Sequence, residues 1–174
     1  MRDYSAGEKS SEVINEIENK TNRYLDEADV YRNLNGIPMP TVKIGKYNYI
    51  GELSIEKLNI RLPVMEEWDC ERLKISPCRY SGSIYDKNMV IAGHNYKSHF
   101  GKLYTLNKGD RVEFLDVNKN IFNFEVINIE KLDPTNIELF INNENAEWDL
   151  TLFTCTLSGK ERTVIRLKEI INGV

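Results

Sequence analysis

Cys155, His94 and Arg162 have side chains suited to acyl transfer, and the sequence around Cys155 and Arg162 can bring those two together. Cys155 stands near the end of the apolar run DLTLFTCT, where a side chain emerges from the rim of a barrel. If Ser158-Gly159 is a two-residue hairpin turn, Leu157 pairs with Lys160, Thr156 with Glu161 and Cys155 with Arg162. Directly opposed residues have Cβ atoms about 5 Å apart on one face. The same register sets Leu152 against Ile165 and Leu150 against Leu167. The pairing that buries the aliphatic residues therefore also brings thiol and guanidinium together. A cation there favours thiolate over thiol and is placed to stabilise an oxyanion. His94 closes the run NMVIAGH, where a residue following Gly at a strand edge can point into a cleft. Its reference pKa of about 6.5, against about 8.5 for Cys, suits it to general acid/base work beside a thiol. On these residues alone, a hydrogen-bonded structural His94 and an incidental Arg162 on an exposed hairpin both stay open.

The remaining candidates read differently. His99 belongs to the polar loop HNYKSHFG and is expected to be a solvent or packing residue. Cys70 in a short predicted helix and Cys78 beside Pro77 have no polar partner in sequence, so both are expected to be buried and inert. Their spacing leaves a disulfide between them open. Arg166 falls opposite Thr151, about 13 Å down the strand from Arg162 at roughly 3.3 Å per residue. It is expected to be a surface charge or a residue of a substrate groove.

The elements that must position these groups are mostly strands. YIGELSIEKLNI alternates through Ile50, Leu53, Ile55, Leu58 and Ile60 around a turn, and IRLPVM follows. NMVIAGH reads as a buried strand, GDRVEFLDV and IFNFEVINIEKL as a pair around Asn118–Asn120, and WDLTLFTCTL and ERTVIRLKEI as a strong final pair. EEWDCERLKI predicts a short helix with Trp68, Leu73 and Ile75 inward, and DPTNIELFI a helix opened by Asp133 and Pro134. At least seven short strands with few helices between them predict an all-β barrel or sandwich. Residues 1–36 have a thinner apolar stripe of helical spacing (Val13, Ile14 and Ile17, then Tyr24, Leu25, Ala28, Tyr31 and Leu34). They predict two modest helices, the first capped by Ser10 or Ser11 and the second stopped by Gly36, as an appendage to a body over 37–174.

The 174 residues suit one domain with a short appendage, and 41% hydrophobic with 29% charged residues is ordinary globular usage. A net charge of −4 and the lack of a Lys/Arg-rich run exclude a basic nucleic-acid footprint. Three cysteines and two histidines without a Cys-x-x-Cys pair support neither a disulfide scaffold nor a zinc site. No apolar stretch is long enough to span a membrane, and the polar start MRDYSAGEKSSE is no signal peptide.

The motifs Thr151-Leu152-Phe153-Thr154-Cys155, the upstream VIAGHN and the following RTVIRL together resemble the bacterial sortases over roughly residues 48–170. The resemblance implies a closed eight-stranded β-barrel with short helices. It also implies a Cys–His–Arg transpeptidase, with Cys155 as nucleophile, His94 as acid/base and Arg162 as the oxyanion or substrate-positioning group. Thr154 would help orient the substrate. The implied substrate is an LPxTG-like sorting signal of a surface or pilin protein. Its acyl group would pass to an amine of a cell-wall precursor or a pilin lysine. The implied location is the extracellular face of the membrane, reached through an N-terminal anchor lying outside this chain. The helical appendage leans toward class B-like sortases. Some sortases bind calcium through glutamates near the TLxTC strand; Glu138, Glu144 and Glu147 lie there, but a solvated acidic face explains them equally, and neither metal nor cofactor is assigned. Two other readings of the residues stand beside this one: a hydrolytic cysteine peptidase using Cys155 and His94, and a non-catalytic β-barrel binding module on a helical stalk.

Overall fold

Alternating apolar residues turn into strands wherever one face of the chain can be buried, and here the strands close on themselves. The computed structural model describes residues 2–21, 33–141, 147–155 and 161–171. Among them run nine strands: β1 (Val42–Ile44), β2 (Tyr47–Ile55), β3 (Ile60–Met65), β4 (Cys78–Ser81), β5 (Met89–His94), β6 (Arg111–Asp116), β7 (Ile121–Leu132), β8 (Leu150–Cys155) and β9 (Arg162–Glu169). The helices are α1 (Arg2–Lys20), α2 (Cys70–Leu73) and α3 (Ile137–Ile141). The strand order is β1-β2-β3-β4-β5-β8-β9-β7-β6, and β6 pairs back onto β2 through Gly51↔Asp116 to Ile55↔Val112. The protein is therefore mostly β, a closed eight-stranded barrel of β2 to β9. β1 extends the β2 edge beyond β6. Closure removes the open sheet edges that would otherwise pair with other chains.

Two apolar layers hold the site-bearing strands. Inside the barrel, Leu53, Met89, Ile91, Phe114, Leu150, Leu152, Ile165 and Leu167 pack in one cluster. On the outer face Ile17, Leu73, Cys78, Val90, Ala92, Phe140, Phe153 and Val164 form a second. β5 and β8 pair in parallel and are buried on both faces, which explains their continuous apolar runs. Truncating Leu152, fully buried between them, would cost about 2–5 kcal/mol.

The described part of the N-terminal segment is one helix that lies on the barrel. Ala6, Ser10, Ile14 and Ile17 form its buried stripe, spaced as one helical face. It begins at Arg2, so Ser10 is interior to it and donates to the Ala6 carbonyl at 3.0 Å instead of capping. The second expected helix falls largely on residues 22–32, and the Ser158-Gly159 turn on 156–160, both outside the described residues. Two further expectations are corrected. Trp68 is exposed, stacked beside Tyr80 at 4.9 Å. α3 starts at Ile137, because Asp133 spends its carboxylate on a local turn, accepting from the Thr135 backbone and hydroxyl.

Candidate active site

β5, β8 and β9 are consecutive in the sheet, and their registers set the candidate residues in one row. The parallel β5–β8 pairing runs from Met89↔Leu150 to Gly93↔Thr154 and His94↔Cys155. The antiparallel β8–β9 pairing runs Leu150↔Leu167, Thr151↔Arg166, Leu152↔Ile165 and Phe153↔Val164. The described pairing ends at Phe153↔Val164; carried on by two residues, the same register would set Cys155, the last residue of β8, across from Arg162, the first of β9. Leu150 against Leu167 and Leu152 against Ile165 are the pairings expected from burial of the aliphatic residues. Val90, Ala92, Phe153 and Val164 lie in the outer cluster, and His94, Cys155 and Arg162 hold the same parity on their strands. With strands about 4.8 Å apart, His94 and Arg162 flank the cysteine position at about 10 Å from each other. Thr154 is buried and shares the parity of Leu150 and Leu152, which point into the barrel, so it is not part of the row.

His94 owes its place to its neighbours. A Cβ on Gly93 would come within 2.1 Å of the Phe100 ring, so only glycine lets that fully buried ring lie against β5. The loop then folds back. The Phe100 amide donates to the His94 carbonyl at 3.1 Å, and the amides of His99 and Gly101 donate to the Tyr96 carbonyl at 3.0 and 2.8 Å. Tyr96 stacks on the His94 imidazole with centroids 3.9 Å apart and planes 30° apart. His94 is half-buried. His99 is completely buried, the packing residue of the two expected alternatives.

Arg166 corrects the sequence expectation more sharply. It is 2% exposed, neither a surface charge nor a groove residue. Its Nε donates to Glu130 Oε2 at 3.0 Å and its Nη1 to Thr151 Oγ1 at 2.9 Å, while Nη1 and Nη2 reach the carbonyls of Phe140 and Leu139. The Trp148 ring lies 4.3 Å from its guanidinium carbon. Burial draws the guanidinium below its ordinary pKa, and Glu130 opposes that shift. The fork of donors thus ties α3 to the outer face, where Phe140 meets Phe153 at 4.8 Å and Phe153 meets Tyr80 edge-on at 5.2 Å. The opposition of Thr151 and Arg166 was readable from register; the helix above them was not.

Cys78 is fully buried, and burial, with Asp69 adding to it, pushes its thiol up to about 12. Cys70 is exposed, contrary to expectation, because it opens α2 on the solvent side. Both are free thiols. Among the described residues no group of three or more His, Cys, Asp and Glu could hold a metal ion, and Glu144 lies outside them. Among the same residues no helix is long and apolar enough to cross a membrane.

A closed mostly-β barrel with a Cys–His–Arg row at the ends of adjacent strands defines a narrow class of protein. The Sortase domain family matches residues 53–170, and the chain belongs to the sortase family. It is 30% identical over 108 residues to sortase D of Bacillus subtilis, a match covering 60% of this chain and 53% of that protein. The chain thus spans about half the length of that relative. In fold it is similar to a Clostridium perfringens sortase D5 transpeptidase, at 21% identity and a TM-score of 0.68, covering 94% of this chain and 99% of the other. It is also similar to Clostridium perfringens sortase C with the C-terminal cell wall sorting motif, at 20% identity and a TM-score of 0.68, covering 92% and 99%.

Proposed function

We propose that this chain is a cysteine transpeptidase that cleaves an LPxTG-like sorting signal and transfers its acyl group to an amine. The observation that supports this most is the register of β5, β8 and β9, which aligns His94, Cys155 and Arg162 at the strand ends. The Cys155 thiolate attacks the backbone carbonyl after the Thr of the signal, and Arg162 stabilises the oxyanion. His94 protonates the leaving amine, giving a thioester, and then deprotonates the incoming amine. Reference pKa values in the order His below Cys favour the neutral thiol–imidazole pair, so only a minority holds the active ion pair and turnover is slow.

The donor is the sorting signal of a surface or pilin protein, and the acceptor an amine of a cell-wall precursor or a pilin lysine. The site of action is the extracellular face of the membrane. The test is product analysis with LPxTG-like peptides, with and without an added amine. Amide product accumulating at the expense of free acid supports transfer. Free acid alone at every amine concentration supports a hydrolytic peptidase instead, and no turnover supports a binding module.

A further inference from the structure

Beside the row, on the His94 flank, a groove of about 560 Å³ opens between three elements. α1 lines it with Ser5, Ala6 and Lys9, α2 and its end with Glu71, Lys74 and Ile75, and the loop after His94 with Tyr96. α1 lies close over that loop, since a Cβ on Gly7 would sit 3.4 Å from the Ser98 Cβ. Tyr96 therefore joins two places: it lines the groove, and its ring stacks on the His94 imidazole at 3.9 Å.

We infer that this groove receives the amine acceptor, and that it favours an acceptor with a carboxylate near its amine. The inference rests on the proposed transpeptidase reading. In that reaction the leaving and the incoming amine exchange protons with the same imidazole, so both lie on its side of the thioester. The incoming nitrogen attacks the thioester carbonyl, the C–S bond breaks, and sulfur leaves as thiolate. The proton from nitrogen passes to His94, and a new amide forms. The flank beyond Arg162 is then left to the acyl part of the signal.

The groove's charge sets the chemical class. Lys74 pairs with Glu71 at 2.9 Å, whereas no carboxylate pairs with Lys9 among the described residues. The uncompensated charge is therefore positive. The volume is within the roughly 300–1,000 Å³ of small-ligand sites, the size of a short peptide segment.

The experiment separates the two half-reactions in the full chain. Acylation is read as single-turnover formation of the thioester from an LPxTG-like peptide. Transfer is read as the KM for two acceptors of equal length and identical amine, one ending in a free carboxylate and the other in an amide. Lys9→Glu is expected to leave acylation unchanged and to raise the KM for the carboxylate acceptor about 5-fold, the scale of reversing an exposed charge. The amide acceptor should change little, and the difference should shrink at high salt. Normal acylation with both acceptors unaffected, or both equally affected, would overturn the groove assignment alone. Loss of acylation in Lys9→Glu would overturn it too, by setting Lys9 on the donor side. No thioester in the wild-type protein would sink the transpeptidase reading and the groove with it.

Discussion

Arg162 and Arg166 stand four residues apart on β9 with the same parity, and the structure uses them in opposite ways. Arg166 lies under α3, its donors engaged by Glu130, Thr151 and two carbonyls. Arg162 is half-buried at the start of the strand, across from the end of β8. One layer separates them, Ala92, Phe153 and Val164, roofed by Phe140 and edged by Tyr80. A charged side chain on a barrel's outer face thus becomes scaffold where a helix covers it, as α3 covers Arg166.

The largest effects should come from the row itself. Cys155→Ala is expected to abolish acylation while leaving the thermal midpoint unchanged, and His94→Ala to slow acylation about 10²–10⁴-fold. Circular dichroism melts beside single-turnover assays check both. An equal loss in His99→Ala, with its melt unchanged, would move the acid/base role away from His94.

Arg166 comes next, and its effect should be on stability. Glu130 is about one-third exposed, so breaking its pair with Arg166 costs less than the roughly 3–5 kcal/mol of a fully buried pair. Arg166→Met should still lower the urea midpoint strongly, because it also strands the Leu139 and Phe140 carbonyls. Arg162→Ala is expected to show the reverse pattern, with little change in urea. Its acylation should fall about 10²–10³-fold, near 2.7–4 kcal/mol, and Arg162→Lys should recover little without the planar fork. If urea titration found Arg162→Ala the less stable variant, the contrast between the two arginines would collapse.

The smallest effect concerns the thiol set into the wall. Cys78 has its pKa raised to about 12 in the folded protein, from an ordinary value near 9. Below that ordinary value both states keep the proton, and the contribution to stability is complete. As pH rises further the unfolded chain ionises first, so stability falls by up to about 1.4 kcal/mol per pH unit until the folded thiol also titrates. Tyr49, likewise raised to about 12, adds a slope of the same sign from about pH 10. Urea melts of Cys78→Ala between pH 8 and 10 should show a flatter decline than the wild type, whatever the offset from the cavity.

Much of this was legible in the sequence because strand alternation encodes register. Leu150, Leu152, Ile165 and Leu167 had to face inward together, and that set Leu150 against Leu167 and Leu152 against Ile165 before any tertiary contact was known. The number and shortness of the strands left barrel and sandwich open; the closed barrel was what the resemblance to sortases implied. The second layer was not legible. Arg166 reads as exposed on β9 alone, since the helix that buries it begins at Ile137, on the far side of a masking turn at Asp133. His99 reads as a loop residue because nothing local reveals that its loop is pinned to the Tyr96 carbonyl. Cys70 reads as buried by its residue type, while the orientation of a single-turn helix decides otherwise. Local pattern encodes pairing within a sheet; it does not encode what packs over the sheet.

The most direct measurement is mass spectrometry of the protein quenched in the presence of an LPxTG-like peptide panel. A thioester adduct with the mass of the donor's acyl fragment is expected on the proteolytic peptide containing Cys155. It should vanish in Cys155→Ala and discharge when an amine is added. An adduct on Cys70, or peptide cleavage that persists in Cys155→Ala, would contradict the assignment of the row as the active site.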